Sequence, residues 1–140
     1  MYTPHTFRTG AGAYARVGVE IGAMSASPHQ LICMLFDGAK TAIGMARHHM
    51  AQGDVAAKGN AISKAIDIVE NGLKAGLDAD AAGPAGAELV ANLSALYGYI
   101  TQRLLYANLR NDAVALDEAD GLLENLASAW REIDAVRARD

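Results

Sequence analysis

The 140 residues contain one cysteine, Cys33. No disulfide can close within the chain, and no cysteine-based zinc site can form. A lone cysteine reads most simply as a small buried apolar residue. Aromatic residues are also scarce, at 6% with one Trp and two Phe, so any core must be built from aliphatic side chains and alanine. No run reaches the roughly 18 apolar residues needed to span a membrane. No basic segment followed by an apolar one opens the chain, so a secretory signal is not expected. The twelve Lys and Arg are spread thinly against sixteen Asp and Glu. Without a basic cluster to neutralise phosphates, nucleic-acid binding is not expected.

What is there is small and helix-forming. Alanine takes 29 positions and glycine 14. This alanine-rich, β-branched-poor composition favours helix over sheet. It excludes an all-β fold, and the length suggests one domain, 1–140.

The punctuation divides the chain. Residues 1–12 hold Pro4, Gly10 and Gly12 without apolar period and read as an arm. Tyr14, Val17, Ile21 and Met24 recur at helical spacing over 13–24, where Gly18 and Gly22 each cost about 1 kcal/mol against Ala. Ser27-Pro28-His29-Gln30 is a strong helix start: a capping serine, proline at the first turn, and glutamine three residues on. The helix it opens should run from Pro28 to about Met50. Its stripes are Leu31, Leu35, Ala39, Ala42, Ala46 and Met50, and beside them Ile32, Phe36 and Ile43. Gly53 ends it and Asp54 caps the next, about Val55 to Leu77, with Ile62, Ile66, Val69, Leu73 and Leu77 on one face.

Residues 78–86 read as a small-residue loop around Pro84. A helix from about Ala87 to Arg110 then carries Leu89, Leu93, Leu96, Ile100, Leu104 and Ala107. Asn111-Asp112 breaks it and caps a last helix to about Val136, with Leu116, Ala119, Leu123, Leu126, Trp130 and Ile133. Helices of about 23 residues are roughly 35 Å long. The expected fold is all-α: an antiparallel up-down four-helix bundle over 28–136 with a short additional N-terminal helix.

Two helices carry more apolar surface than one core stripe uses. Helix 28–50 adds Ile32, Phe36 and Ile43, and helix 87–110 adds Val90, Tyr97, Leu105 and Leu109. The surplus is either covered by the N-terminal helix or forms a groove for a partner's amphipathic helix. The two are compatible if a weak cover yields to the partner. Gly38, Gly44, Gly72, Gly98 and Gly121 fall inside expected helices, most simply for close helix approach. The segment 112–140 holds eight acids and three arginines, acids early and bases late, which suits the helix dipole.

Catalytic chemistry is not expected. The chain has no Glu-x-x-His pair of the kind di-iron bundles use. His48 and His49 are adjacent, so they diverge by about 100° on a helix and cannot share one metal. His29, in a first turn, is most simply exposed, and His5 lies in the arm. A histidine phosphotransfer-type bundle is the alternative class. His48 and His49 suit it poorly, because they sit near a helix end rather than mid-helix.

One series of motifs runs through Ala13-Tyr14-Ala15-Arg16-Val17, Ser25-Ala26-Ser27-Pro28-His29-Gln30-Leu31 and Met34-Leu35-Phe36-Asp37-Gly38-Ala39. It continues in Gln52-Gly53-Asp54, Gly72-Leu73-Lys74-Ala75-Gly76-Leu77-Asp78 and Ala107-Asn108-Leu109-Arg110-Asn111-Asp112, and ends in Gly121-Leu122-Leu123 and Ala129-Trp130. In this order the series resembles the FliS family of flagellar secretion chaperones. The resemblance implies a cytoplasmic chaperone without cofactor, metal or enzyme activity. It implies binding of the C-terminal segment of flagellin, prevention of premature polymerisation, and docking of the loaded complex on the export gate. Some members also bind an anti-sigma factor, and an uncovered groove could pair two copies. The partner-binding residues expected are Tyr14 and Val17 in the cover, with Leu31, Leu35, Leu104, Asn108 and Leu109 in the groove. Plain core packing is the competing reading for each leucine. Relatives often carry Ile three residues before the Tyr that matches Tyr14, where this chain has Ala11.

Overall fold

A computed structural model describes residues 27–77 and 79–139, and among them every regular element is helical. The arm 1–12 and the helix expected over 13–24, with Tyr14 and Val17, lie outside the described residues.

Helix α1, Pro28–Ala51, starts where the sequence says it should. The Gln30 amide donates to Ser27 Oγ at 3.1 Å, and the Ser27 amide donates to Gln30 Oε1 at 2.8 Å. This reciprocal pair satisfies two amides that the first turn would otherwise leave unbonded. Gly53, at φ 74°, turns the chain out of α1 through a left-handed conformation that a Cβ would strain. Asp54 then accepts from the Ala57 amide at 3.1 Å and opens α2, Val55–Asp67.

From Ile68 to Lys74 the same helix widens into π geometry, with the Ala75 amide donating to the Glu70 carbonyl at 3.2 Å. Gly72 lies there against α1: a Cβ would sit 3.1 Å from Leu35 Cδ2. The widened turn ends at Lys74, a little short of the expected Leu77.

Helix α3, Ala79–Arg110, begins earlier than expected. From Ala79 on, the small-residue stretch is helical apart from Gly83, whose φ of 75° and ψ of −176° break the run. Pro84 follows, and proline cannot continue an unbroken helix because it lacks the amide and clashes with the turn before it. The long part of α3 therefore begins at the proline read as the middle of a loop. Asn111, at φ 54°, closes α3. Asp112 accepts from the Val114 amide at 2.9 Å and opens α4, Ala113–Arg139.

Helix α1 packs on α2 and α4, and α3 packs on α4 and the π turn. Cross-helix bonds link α1 to α4 along their length: the Trp130 indole N–H donates to the His29 carbonyl at 3.1 Å, Lys40 pairs with Asp120 at 2.9 Å, and Arg47 pairs with Asp117. Lys58 with Asn108 and Thr101 with Glu70 do the same between α2, the π turn and α3. The largest fully buried side chains are Ile43, Ile62, Ile68, Val69, Ile100, Leu104, Leu116 and Leu123. Each contributes roughly 1.5–3 kcal/mol by leaving water. Between them Ala39, Ala42, Ala46, Ala65, Ala107, Ala115 and Ala119 are buried and let the backbones approach.

Several expected placements change. Leu89 and Ile133, assigned to core stripes, are exposed. Tyr97, assigned to the surplus, is buried, and burial pushes its phenol up to about 12. Cys33 is half-buried rather than buried. His29 is buried rather than exposed, with its ring stacked on Trp130 at 4.1 Å between centroids. Glycine at 38 and 72 does face a neighbouring helix, at Ile68 and Leu35. At Gly44 and Gly121 a Cβ would meet nothing within 4 Å, so close approach does not explain those two.

Candidate functional site

Among the described residues, four exposed large apolar side chains lie close together on the outer face of α3. Tyr99, Leu105, Tyr106 and Leu109 are exposed there, with Leu105–Leu109 and Tyr106–Leu109 at spacings that place side chains together on a helix. Val114, at the start of α4, and Val55, at the start of α2, are exposed as well. Leu109 is the most open of all, at 81%.

Polar contacts hold the ridge in shape. Glu118 on α4 accepts from Arg103 Nε at 2.7 Å and from the Tyr99 hydroxyl. The Tyr99 hydroxyl first, then Arg103, hold the Glu118 carboxyl below its ordinary value, and the same bond raises the Tyr99 phenol. Arg103 also lies over the Tyr106 ring, 4.7 Å from its centroid.

At the end of α3, Lys58 is 4% exposed. Its ammonium donates to the Asn108 carbonyl at 3.1 Å and to Asn111 Oδ1 at 3.0 Å. A cation on the last carbonyls of a helix complements its dipole and satisfies acceptors that the helix leaves open. The sequence reading missed this residue. The signal was present: Lys58 lies four residues before Ile62, on the buried stripe of α2, where an unpaired lysine would be costly.

The expected groove residues are not brought to one place. Leu104 is fully buried and Leu35 is 5% exposed, so both belong to the core of the closed bundle. Leu31 and Asn108 are half-buried, and Leu109 is open. Leu31 lies near the Trp130 end of α4 and Asn108 near its start. At 1.5 Å per residue, 113 to 130 spans about 25 Å. His48 and His49 lie in the last turn of α1, their rings edge to face at 5.4 Å. Among the described residues no cluster of His, Cys, Asp and Glu could hold a metal ion, and no helix is long and apolar enough to cross a membrane.

Among the described residues, helices that pack together and leave an apolar ridge open fit a protein-binding role. Comparison with known proteins decides which one. The family described as "Flagellar protein FliS" matches residues 10–137. This chain belongs to the FliS family. It is 58% identical over 133 residues to the flagellar secretion chaperone FliS of Salmonella typhimurium, covering 95% of this chain and 93% of that one. It is 48% identical over 123 residues to FliS of Escherichia coli, covering 88% of each chain. It is 38% identical over 117 residues to FliSB of Pseudomonas aeruginosa, covering 84% of this chain and 89% of that one. FliS proteins are secretion chaperones rather than enzymes, so the surface to explain is one for a client protein.

Proposed function

We propose that this chain is a cytosolic export chaperone for flagellin. It binds the C-terminal segment of flagellin, keeps it from polymerising early, and delivers it to the flagellar export gate. The observation that carries the reading is the ridge of Tyr99, Leu105, Tyr106 and Leu109, left open on α3 and braced by Arg103 and Glu118. An amphipathic client helix lays its apolar face on such a ridge.

The distance between Leu31 and Asn108 shapes the reading further. One helical turn of client cannot touch both, so a client using both ends must run along the bundle. A segment that orders on binding has the length for this and must recover its ordering entropy from a large apolar contact. In this reading 28–136 is one antiparallel up-down bundle, which the α1–α4 and α2–α3 pairings support. The segment 13–24, with Tyr14 and Val17, covers part of the surface until the client displaces it. Leu35 and Leu104 then contribute from beneath, by fixing the helices that carry the ridge. An anti-sigma factor, or a second copy of the unloaded chain, could use the same surface.

The test is titration of the full chain with a peptide of the cognate flagellin C-terminus, followed by calorimetry and circular dichroism. Stoichiometric binding with a gain of helix is expected. No heat and no helical gain would overturn the reading.

A further inference from the structure

A second surface lies away from the α3 ridge, at the seam between α1 and α2. An open cleft of about 270 Å³ lies there, lined by Ala42, Met45 and His49 on α1 and by Ala57, Asn60, Ala61 and Lys64 on α2. The spacings are one and two turns on each helix, so the cleft runs about 10 Å along the seam. Its alanines are short and leave a trough between the two backbones. It is an open depression rather than an enclosed cavity, so an aliphatic side chain from a partner can lie in it. Met45, 50% exposed, forms one wall with a thioether that can adjust to what enters.

The rim also carries a positive charge, at Lys64. Most of the described bases are bonded within the fold: Lys40 to Asp120 and Glu124, Arg47 to Asp117, Lys74 to Glu70, Arg103 to Glu118 and Arg131 to Glu124. Lys58 is buried against Asn108 and Asn111. Lys64 and Arg110 make no ion pair among the described residues. Arg110 ends α3, where it complements the helix dipole. Lys64 is exposed on the cleft rim, and Asp67, one turn further on, accepts instead from Asn71.

We propose that this cleft is a subsite for an acidic amphipathic stretch of the client, a reading that rests on the proposed function. One apolar side chain of the client fills the trough over Ala42, Ala57 and Ala61. A client carboxylate about one helical turn away pairs with Lys64. The apolar insertion supplies affinity and the ion pair fixes the direction in which the client helix lies.

The probe is the C-terminal peptide of the cognate flagellin, titrated into the full chain. Ala57→Leu fills the trough from its half-buried rim, and Lys64→Glu reverses the charge. Each should weaken binding by about tenfold or more with the melting temperature unchanged. If Ala57→Leu lowers the melting temperature, Asn60→Trp on the exposed rim replaces it as the blocking variant. A peptide with its Asp and Glu changed to Asn and Gln should bind wild type and Lys64→Glu alike. Wild-type affinity in both the blocking and the charge variants overturns the proposal while leaving the chaperone reading intact. Loss in the blocking variant alone overturns the carboxylate pairing. A peptide that fails to bind even the wild-type chain overturns both readings together.

Discussion

The inner and outer faces of α3 are made of the same kinds of residue and have opposite fates. Tyr97, Ile100, Leu104 and Ala107 follow one another at three- and four-residue steps and are all buried. Tyr99, Leu105, Tyr106 and Leu109 lie on the other side and are all exposed. Leu104 is fully buried and Leu109, five residues on, is the most open large apolar residue described. Five residues turn a helix by about 140° from the starting direction, at 3.6 residues per turn. Apolar character alone therefore does not distinguish core from contact surface on this helix. The difference lies in which direction α4 and the π turn approach from.

That separation is sharpest at Leu104. Leu104→Ala should destabilise the fold by about 2–5 kcal/mol, through lost transfer energy and the cavity left behind. A denaturant titration measures it. A change near zero would mean that the inner face is not packed as described. Any loss of client binding in this variant should follow the loss of folded protein.

The next largest effect is at Lys58, which ties the end of α3 to α2. Lys58→Met keeps the aliphatic stem and removes the donor to the Asn108 carbonyl and the Asn111 side chain. Leaving such acceptors unbonded costs about 1–3 kcal/mol. The melting temperature should fall, and amide exchange should speed up first around 107–112. A uniform rise in exchange across all four helices would show that Lys58 acts on the whole bundle and does not pin one end.

Much of this arrangement was legible in the sequence. Ser27, Asp54 and Asp112 cap helices because side-chain oxygens there meet amides that a first turn leaves open, and such signals are local. The fates of Leu89, Tyr97 and Ile133 were not legible. They depend on where a neighbouring helix ends or leans, and periodicity along one helix carries no record of that. Lys58 and His29 belong to the same class. Each is polar, and each is buried because an element more than 40 residues away supplies its partner. The grouping of Leu35, Leu104 and Leu109 as one groove failed to resolve into one surface for the same reason. The stripes show that apolar surface exceeds one face, but not which residues are the excess.

A smaller effect is expected on the outer face at Glu118. The Tyr99 hydroxyl and Arg103 hold its carboxyl below the ordinary glutamate value of 4.5. A carboxyl whose value is lower in the folded chain contributes stability above the unfolded value and loses it as pH falls through the folded one. Wild type should therefore lose stability through acid pH more steeply than Glu118→Gln. Melting curves between neutral pH and about pH 3 compare the two slopes. Equal slopes would remove Glu118 from the frame of the ridge. Because the group is exposed, the difference should also shrink in high salt.

The smallest effect on stability should come from the most exposed residue. Leu109→Ala removes a side chain that is already in water, so unfolding should change by no more than about 0.5 kcal/mol. Alanine is also the better helix former, which acts in the same direction. If the outer face is the client surface, the same variant should weaken the flagellin peptide by about tenfold, in the range of an interface residue that matters. The contrast with Leu104 is what gives the measurement its force. One leucine should control folding and, through it, binding, while the other should control binding with folding untouched. Unchanged stability together with unchanged peptide affinity would leave the ridge as ordinary exposed surface, and would shift the search for the client site to the α1–α2 cleft.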